Sequence, residues 1–448
     1  MMHDQSLPQR PDSPAAGSAR LARGARIIFL MLLFAWLSLV FWNAAKPLPP
    51  GTHVVSQTAR LSEADVDFRY ESPRHHDILA RDLSAIDHAE QLIVLDRSPV
   101  TPELAQHLLA RKRVRPHLKI VLVTDPGNEA LGGTAAPTLA TLEETGIIVA
   151  RVRLDRLRDS DPLYTGLWRL TFGWWSDPFD ETPEHTTLPA LARMHNCKSD
   201  QRQLVVADDG AGGWTAVVAP AGATASLTMR GSLARAMIAD ELQIAAWSTD
   251  DDRLPVGPPM DGRGVGSIDA RFLTEGAIET ALLDAMDAAG SGDRIGIAVE
   301  NLADRRLIAA LLRAVARGAS LQVLLDRNRM PNQAVAGELL RDSAGRIEVR
   351  WQSPGQAASR SKLAVVRHRT DVWLNMATAN FTRRNLGDLN LAASVELRMP
   401  ARAPAARAAT DYFADAWSSA AADADFADGS AAAYWRYRFA EASGLSSF

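Results

Sequence analysis

One order of apolar strands and amphipathic helices occurs twice in this chain, and that repetition limits the folds open to it. Ile78–Ala89 has helical spacing, Gln91–Asp96 is a short buried strand, Pro102–Lys112 a helix, Leu118–Thr124 a strand, Leu139–Thr145 a helix and Ile147–Val152 a strand. The order returns in Ala277–Ala289 (helix), Arg294–Val299 (strand), Arg306–Arg317 (helix), Leu321–Leu325 (strand), 333–343 (helix) and Ile347–Trp351 (strand). Asp125 and Asp326, each following its strand, stand 201 residues apart, and Val205, Val206 and Trp214 roughly match Val365, Val366 and Trp373. Self-similarity at a fixed offset marks an internal duplication. Alternating strands and helices predict an α/β fold of two pseudo-symmetric lobes, each a mostly parallel sheet flanked by helices.

The N-terminus carries a second constraint. Ile27–Ala45 is 19 residues without a charge, about the ~20 needed to span a bilayer. Arg10, Arg20, Arg23 and Arg26 precede it and Lys46 closely follows, so the positive-inside rule places residues 1–26 in the cytoplasm. A cleavable signal peptide is the competing reading, but the apolar run is long for one and the cleavage signal is poor. The expected layout is a disordered cytoplasmic 1–26, a single-pass anchor 27–45 and a linker 46–70. A first lobe 71–230 with an insertion at 155–195, a second lobe 265–418 and a tail 419–448 follow. The main domain then lies on the outer face of the membrane, periplasmic if the source is a Gram-negative bacterium.

The net charge of −4 and pI near 6.2 argue against general nucleic-acid binding, which leaves a basic footprint. The single cysteine, Cys197, excludes an intrachain disulfide and a Cys-based zinc site. No metal constellation and no cofactor motif emerges. Leu163–Phe179, rich in Trp, Leu and Phe, is either an amphipathic piece touching the bilayer or a helix packed over the domain, and the lack of a Lys/Arg row favours the second. Tyr434–Phe439 (Y-W-R-Y-R-F) reads as a tail docked on the domain or as a membrane-interface contact.

The chemistry concentrates in Lys362–Glu396. Strands Leu363–Val366 and Val372–Asn375 lead into a tight A-T-A-N turn, the run F-T-R-R-N-L and another strand. This stretch resembles the second half-site of the phospholipase D superfamily, in which an H-x-K strand is followed by a small-residue turn ending in Asn. The resemblance, to a bacterial membrane-anchored branch, covers about residues 47–448, including K-P-L-P-P-G, D-R-L-R-D-S-D-P-L-Y-T-G-L-W-R-L and the closing Y-W-R-Y-R-F-A-E-A-S-G-L-S-S-F. It implies a phosphodiesterase in which one His forms a phospho-histidine and the other protonates the leaving oxygen. The lysines and Asn would bind phosphoryl oxygens, lysine sharing a strand face with its His at i and i+2.

The motif residues are altered in both halves. In the second, Arg360-Ser361-Lys362 stands at H-x-K, Arg367 at the acidic position, Ala377-Thr378 at the small pair of the turn, and Asn380 is retained. A guanidinium keeps its protons and has no acceptor, so Arg360 is neither nucleophile nor general acid. In the first half the same register puts Gln201 at His, Gln203 at Lys, Asp208 at the acid and Gly222 at Asn. No catalytic pair is intact at these degenerate positions. His117-Leu118-Lys119 is H-x-K by letter but falls on a helix-to-strand loop at the duplication offset. His195 has the wrong period to share a face with Lys198, and His368, His75 and His76 read as turn or helix-start residues. Arg360, Lys362, Thr378 and Asn380 are thus a candidate phosphate or anion site, unless Arg360 instead pairs with Asp208 or Glu396 to fix the lobes together. The expectation is a catalytically impaired protein binding phospholipid, another phosphodiester or a protein partner. An active phosphodiesterase, phosphatidyl hydrolase or transferase with a non-standard nucleophile is the alternative.

Overall fold

The structure is a computed structural model that describes residues 14–70, 78–127, 136–171, 198–220, 222–259, 262, 264–341, 345–352, 360, 362–422 and 426–443. Of the expected features, His75, His76, His195, Cys197, Ser361 and most of the 155–195 insertion lie outside them.

The first helix, α1, runs Pro14–Ala44. Its segment Ala22–Ala44 has a mean hydropathy of 2.2 and is long and apolar enough to cross a membrane, with only 11% of it buried in the protein. Two strands follow, β1 (Ala59–Leu61) and β2 (Val66–Tyr70), where the sequence suggests only a linker. Their partners are remote in sequence, which no local pattern reveals: β1 pairs with β9 (Ile268–Thr274) and β2 with β8 (Ala225–Arg230).

The first lobe then builds α2 (Ile78–His88), β3 (Leu92–Asp96), α3 (Pro102–Val114), β4 (Lys119–Thr124), α4 (Ala136–Glu144), β5 (Ile148–Arg151), α5 (Pro162–Thr171), β6 (Leu204–Asp208) and β7 (Trp214–Val218) before β8. Local chemistry fixes several boundaries. Thr101 caps α3 by accepting from the Leu104 amide, Pro102 opens it, and Arg111, Lys112 and Arg113 sit in its last turn, where the helix dipole favours cations.

The second lobe repeats the plan after β9: α7 (Gly276–Ala288), β10 (Arg294–Val299), α8 (Arg305–Ala316), β11 (Ser320–Asp326), α9 (Met330–Arg341), β12 (Ile347–Gln352), β13 (Leu363–Arg367), β14 (Asp371–Ala377), α10 (Arg383–Leu386) and β15 (Ala393–Pro400). Helices α11 (Pro404–Ser419) and α12 (Ala431–Ser443) close the chain. The seven-stranded order β2-β8-β7-β6-β3-β4-β5 corresponds strand for strand to β9-β15-β14-β13-β10-β11-β12, with β1 added at the edge of the second sheet. The registers place Asp125 opposite Asp326 in the repeat, as the spacing predicts, while Trp214 corresponds to Val372 rather than Trp373.

The sheets are mixed, which corrects the expectation of mostly parallel ones. Only β3-β4-β5 and β10-β11-β12 run parallel; the other pairings are antiparallel. The cause is the short connections from β6 to β7 and from β13 to β14, since a tight hairpin can join only antiparallel strands.

Alternation along the strands divides the core into three layers. Leu92 and Val94 of β3 face a central core with Leu363 and Val365 of β13, whereas Ile93 and Leu95 face the outer helices of the first lobe, and Ala364 and Val366 those of the second. The helix α6 (Ser232–Ser248), which the sequence pattern leaves unassigned between the lobes, is buried in the central layer together with α11. A helix buried on nearly all sides, with Asp240 and Glu241 among its buried residues, gives no amphipathic signal. The C-terminal tail docks on the second lobe through α12, where the buried Tyr437 hydroxyl donates to the Ala303 carbonyl at 2.5 Å.

Candidate functional site

The registers make Arg360 equivalent to Gln201, Lys362 to Gln203, Arg367 to Asp208 and Asn380 to Gly222. The two sets meet where the lobes meet. Asp200 bridges to Leu391, the Gln201 amide donates to the Leu391 carbonyl at 2.9 Å, and the Ser199 amide to Asn390 Oδ1 at 3.1 Å.

In the second lobe Lys362 is almost fully buried. Its Nζ lies 3.6 Å from Glu300 Oε2 and donates to the Arg360 carbonyl at 3.1 Å. Burial pushes its pKa down; the Glu300 carboxylate opposes this, and Arg360 and Arg329 add to it. Asn380 Nδ2 donates to the same Glu300 oxygen at 3.4 Å, and its buried Oδ1 accepts no hydrogen bond. Glu300, at the end of β10, thus joins Lys362 to Asn380; the sequence reading missed it, although an acid at a strand's C-terminal edge was a usable signal. The buried Thr378 is withdrawn from the anion set: its hydroxyl donates to the Ala393 carbonyl and accepts from the Ala393 amide, both at 3.0 Å. That exchange closes the A-T-A-N turn.

Arg360 is exposed and its side chain reaches across to the first lobe. A Cβ added to Gly222, whose φ is +68°, would fall 2.7 Å from Arg360 Cδ and closer still to its Nη1. Arg360 therefore occupies the space above the first lobe's turn that a side chain at 222 would need. The expected lobe-fixing pairs are not formed. Asp208 accepts backbone amides from Glu90, Gln91, Leu92 and Gly210, and Glu396 pairs with Arg271 and accepts from Trp373 Nε1.

In the first lobe Gln203 is buried, donating to the Ser98 carbonyl at 2.8 Å and accepting from Arg97 Nη1 at 3.2 Å. Arg97 also donates to the Ala219 carbonyl at 2.8 Å. Gln201 Nε2 reaches Ser199 Oγ at 3.1 Å. The even-numbered neighbours belong to a charged layer that no local motif announces. Arg202, fully buried, pairs with Asp240, Glu241 and Glu275 at 3.1, 2.9 and 2.9 Å and donates to the Gly51 carbonyl. Burial raises Asp200 and Asp240 to about 8 against the pull of Arg202, and raises Asp96 well above its usual range.

Among the described histidines none hydrogen-bonds to Lys362, Asn380 or Glu300. His53 pairs with Asp388, His107 with Asp87 and His368 with Asp293, and His88 bonds to the Ser84 carbonyl. No group of three or more metal-ligating side chains occurs among the described residues.

The arrangement can be set beside known proteins. Residues 282–417 match the family model described as "Cardiolipin synthase, PLD-like domain". No curated protein matches the chain in sequence. Among solved structures it is similar to phosphatidylserine synthase from Haemophilus influenzae Rd KW20, at 11% identity over 93% of this chain and 98% of that chain, with a TM-score of 0.55. It is also similar to Nuc, a phospholipase D family member from Salmonella typhimurium, at 18% identity over 34% of this chain and 96% of that one, with a TM-score of 0.28. At 11% identity the first likeness speaks to the fold, a duplicated α/β architecture of phospholipase D type. Residues 282–417 thus match a PLD-like domain, and the fold of the whole chain is in keeping with that match.

Proposed function

We propose that this is a membrane-tethered phospholipase D superfamily protein whose cleft binds phosphate-bearing ligands, phospholipid headgroups foremost, without hydrolysing them. The observation that carries the reading is the Arg360–Gly222 pair. Arg360 stands three residues before β13, at the position equivalent to Gln201 before β6, and lies over the glycine equivalent to Asn380. Guanidinium and amide are donors, not nucleophiles, whereas Arg360, Lys362 and Asn380 together offer cations and a neutral donor to an anion. The cardiolipin-synthase description of the matching family and the phosphatidylserine synthase likeness favour a phospholipid as the ligand. The apolar Ala22–Ala44 helix associates the chain with a membrane, with the N-terminus cytoplasmic and the lobes on the outer face of a bacterial inner membrane.

The test is paired. The full chain in nanodiscs should bind a short-chain phosphatidic acid but release no headgroup from phospholipid, and Arg360→Ala with Lys362→Ala should weaken binding at least about tenfold, the loss of one charge-assisted contact or more. Undiminished binding by the double variant would remove the cleft as the ligand site. Turnover abolished by substituting one histidine would establish the alternative, a phosphodiesterase with a non-standard nucleophile.

A further inference from the structure

Helix α5 has three distinct faces. One is polar and fixed to the lobe: Thr165 donates to the fully buried Asp159, which also binds Arg169 and, at 2.7 Å, Lys198. The hydrogen bonds from Arg169 and Lys198 hold the Asp159 pKa below the usual carboxylate range despite burial. A second face packs on α1. Gly166 lies so close that a Cβ would meet Val40 Cγ2 at 2.7 Å and Trp36 Cδ1 at 3.2 Å, and Trp36 Nε1 donates to the Leu163 carbonyl at 3.1 Å. The third carries Leu163 and Leu167, 47% and 53% exposed and one helical turn apart.

The end of α1 is clasped by the segment leading into α5. The Asp159 amide donates to the Asn43 carbonyl at 3.3 Å, Lys46 Nζ to the Asp155 carbonyl at 2.9 Å and Arg158 Nε to the Lys46 carbonyl at 2.9 Å. The next residue, Ser160, accepts from Arg383 Nη2 at 2.8 Å, and Arg383 opens the short helix after Asn380. Two contacts therefore separate the membrane helix from the turn that carries the candidate site.

From these contacts we infer that α5 is a second membrane contact, its Leu163–Leu167 edge entering the acyl-chain boundary of the bilayer that Ala22–Ala44 crosses. The inference rests on α1 being membrane-spanning. The docking residues Val40 and Trp36 lie four and eight residues before Ala44, about 6 and 12 Å along the helix at 1.5 Å per residue. A helix docked there reaches about the 5–10 Å depth of interfacial helices. Lipid is the occupant because the edge lies on a helix packed directly against α1, whose Phe41 and Trp42 are also exposed. The consequence is that the cleft edge is held at headgroup level, where a phospholipid need not leave the membrane to reach Lys362.

The experiment uses the full chain with Cys197→Ser and one new cysteine, at Leu167 or, as a second position, at Leu163. Each carries a fluorophore and is reconstituted in vesicles of phosphatidylcholine with brominated acyl chains. Phe41→Cys is the immersed reference and Val256→Cys, in a fully exposed loop, the aqueous one. Quenching at Leu163 and Leu167 should approach that at Phe41 and exceed that at Val256 about twofold or more, as expected for a site at the acyl boundary. Quenching at Phe41 but not at Leu163 or Leu167 overturns the inference and leaves the anchor standing. No quenching at Phe41 removes both. A label shielded from aqueous quencher yet untouched by brominated lipid would mean that a second copy of the chain covers the edge, which also overturns it.

Discussion

The two half-sites share a backbone and differ in how they satisfy a buried polar position. In the second lobe the position holds a cation, Lys362, that keeps a carboxylate partner in Glu300. In the first it holds a neutral amide, Gln203, satisfied by the Ser98 carbonyl and the Arg97 guanidinium. The charge of the first lobe has moved one residue along the chain, to Arg202, and to the opposite face. A buried charge without a partner is costly, so each lobe has assembled a different complete set of partners. The second set is joined to the exposed Arg360, whose carbonyl accepts from Lys362 Nζ.

Removing the central cation of each lobe should separate them most. Arg202→Leu leaves Asp240, Glu241 and Glu275 without their guanidinium, and should cost about 3–5 kcal/mol in denaturant unfolding of the full chain. Lys362→Met should cost only about 1–2 kcal/mol, because Glu300 keeps some exposure and its bond from Asn380. Equal losses would erase the distinction drawn between the lobes.

Stability should also follow pH. Asp200 and Asp240 hold their protons to about pH 8 in the folded state, whereas unfolded carboxyls lose theirs near pH 4. The folded state thus binds more protons between those values, and stability should fall as pH rises from 5 to 8, by about 1.4 kcal/mol per pH unit for each proton involved. Asp200→Asn keeps the acceptor for the Arg202 amide and should flatten the decline of the unfolding midpoint. A steeper or unchanged slope in the variant would place the titrating groups elsewhere.

The smallest effect should come from Gly222→Ala. The +68° backbone alone should cost about 1 kcal/mol. The added collision with Arg360 should vanish in an Arg360→Ala background, so the cost measured there should be lower. An identical cost in both backgrounds would show that the two positions are not matched to one another.

Much of the fold was legible because apolar periodicity is local. The strands Leu92–Asp96, Lys119–Thr124, Ile148–Arg151, Arg294–Val299, Ser320–Asp326 and Ile347–Gln352 and the A-T-A-N turn announce themselves within short windows, whereas β8 and β9 went unassigned. The elements that escaped detection depend on distant partners or give no periodic contrast: β1 and β2 are three- and five-residue strands, and α6 is buried nearly all round. The same holds for the site. Arg360, Lys362, Asn380 and their glutamine counterparts follow from motif register, whereas Glu300 and Arg97 matter through contacts 62 and 106 residues away. Thr378 looked available because its letter fits a phosphate-binding turn, and only the Ala393 exchange shows its hydroxyl to be occupied.

The short run from β1 to β2 has a consequence for the order of assembly. Within a few residues the chain leaves the edge of one sheet and joins the edge of the other. As the polypeptide emerges, Ala59–Leu61 has no partner until Ile268–Thr274 has been synthesised about 200 residues later, a loop whose closure entropy grows only slowly with length. The segment nearest the membrane helix is made first and locked late. Until then the β1–β2 segment is an open tether, and the closing of β1 onto β9 ties the edge of the second sheet to the segment that enters the first.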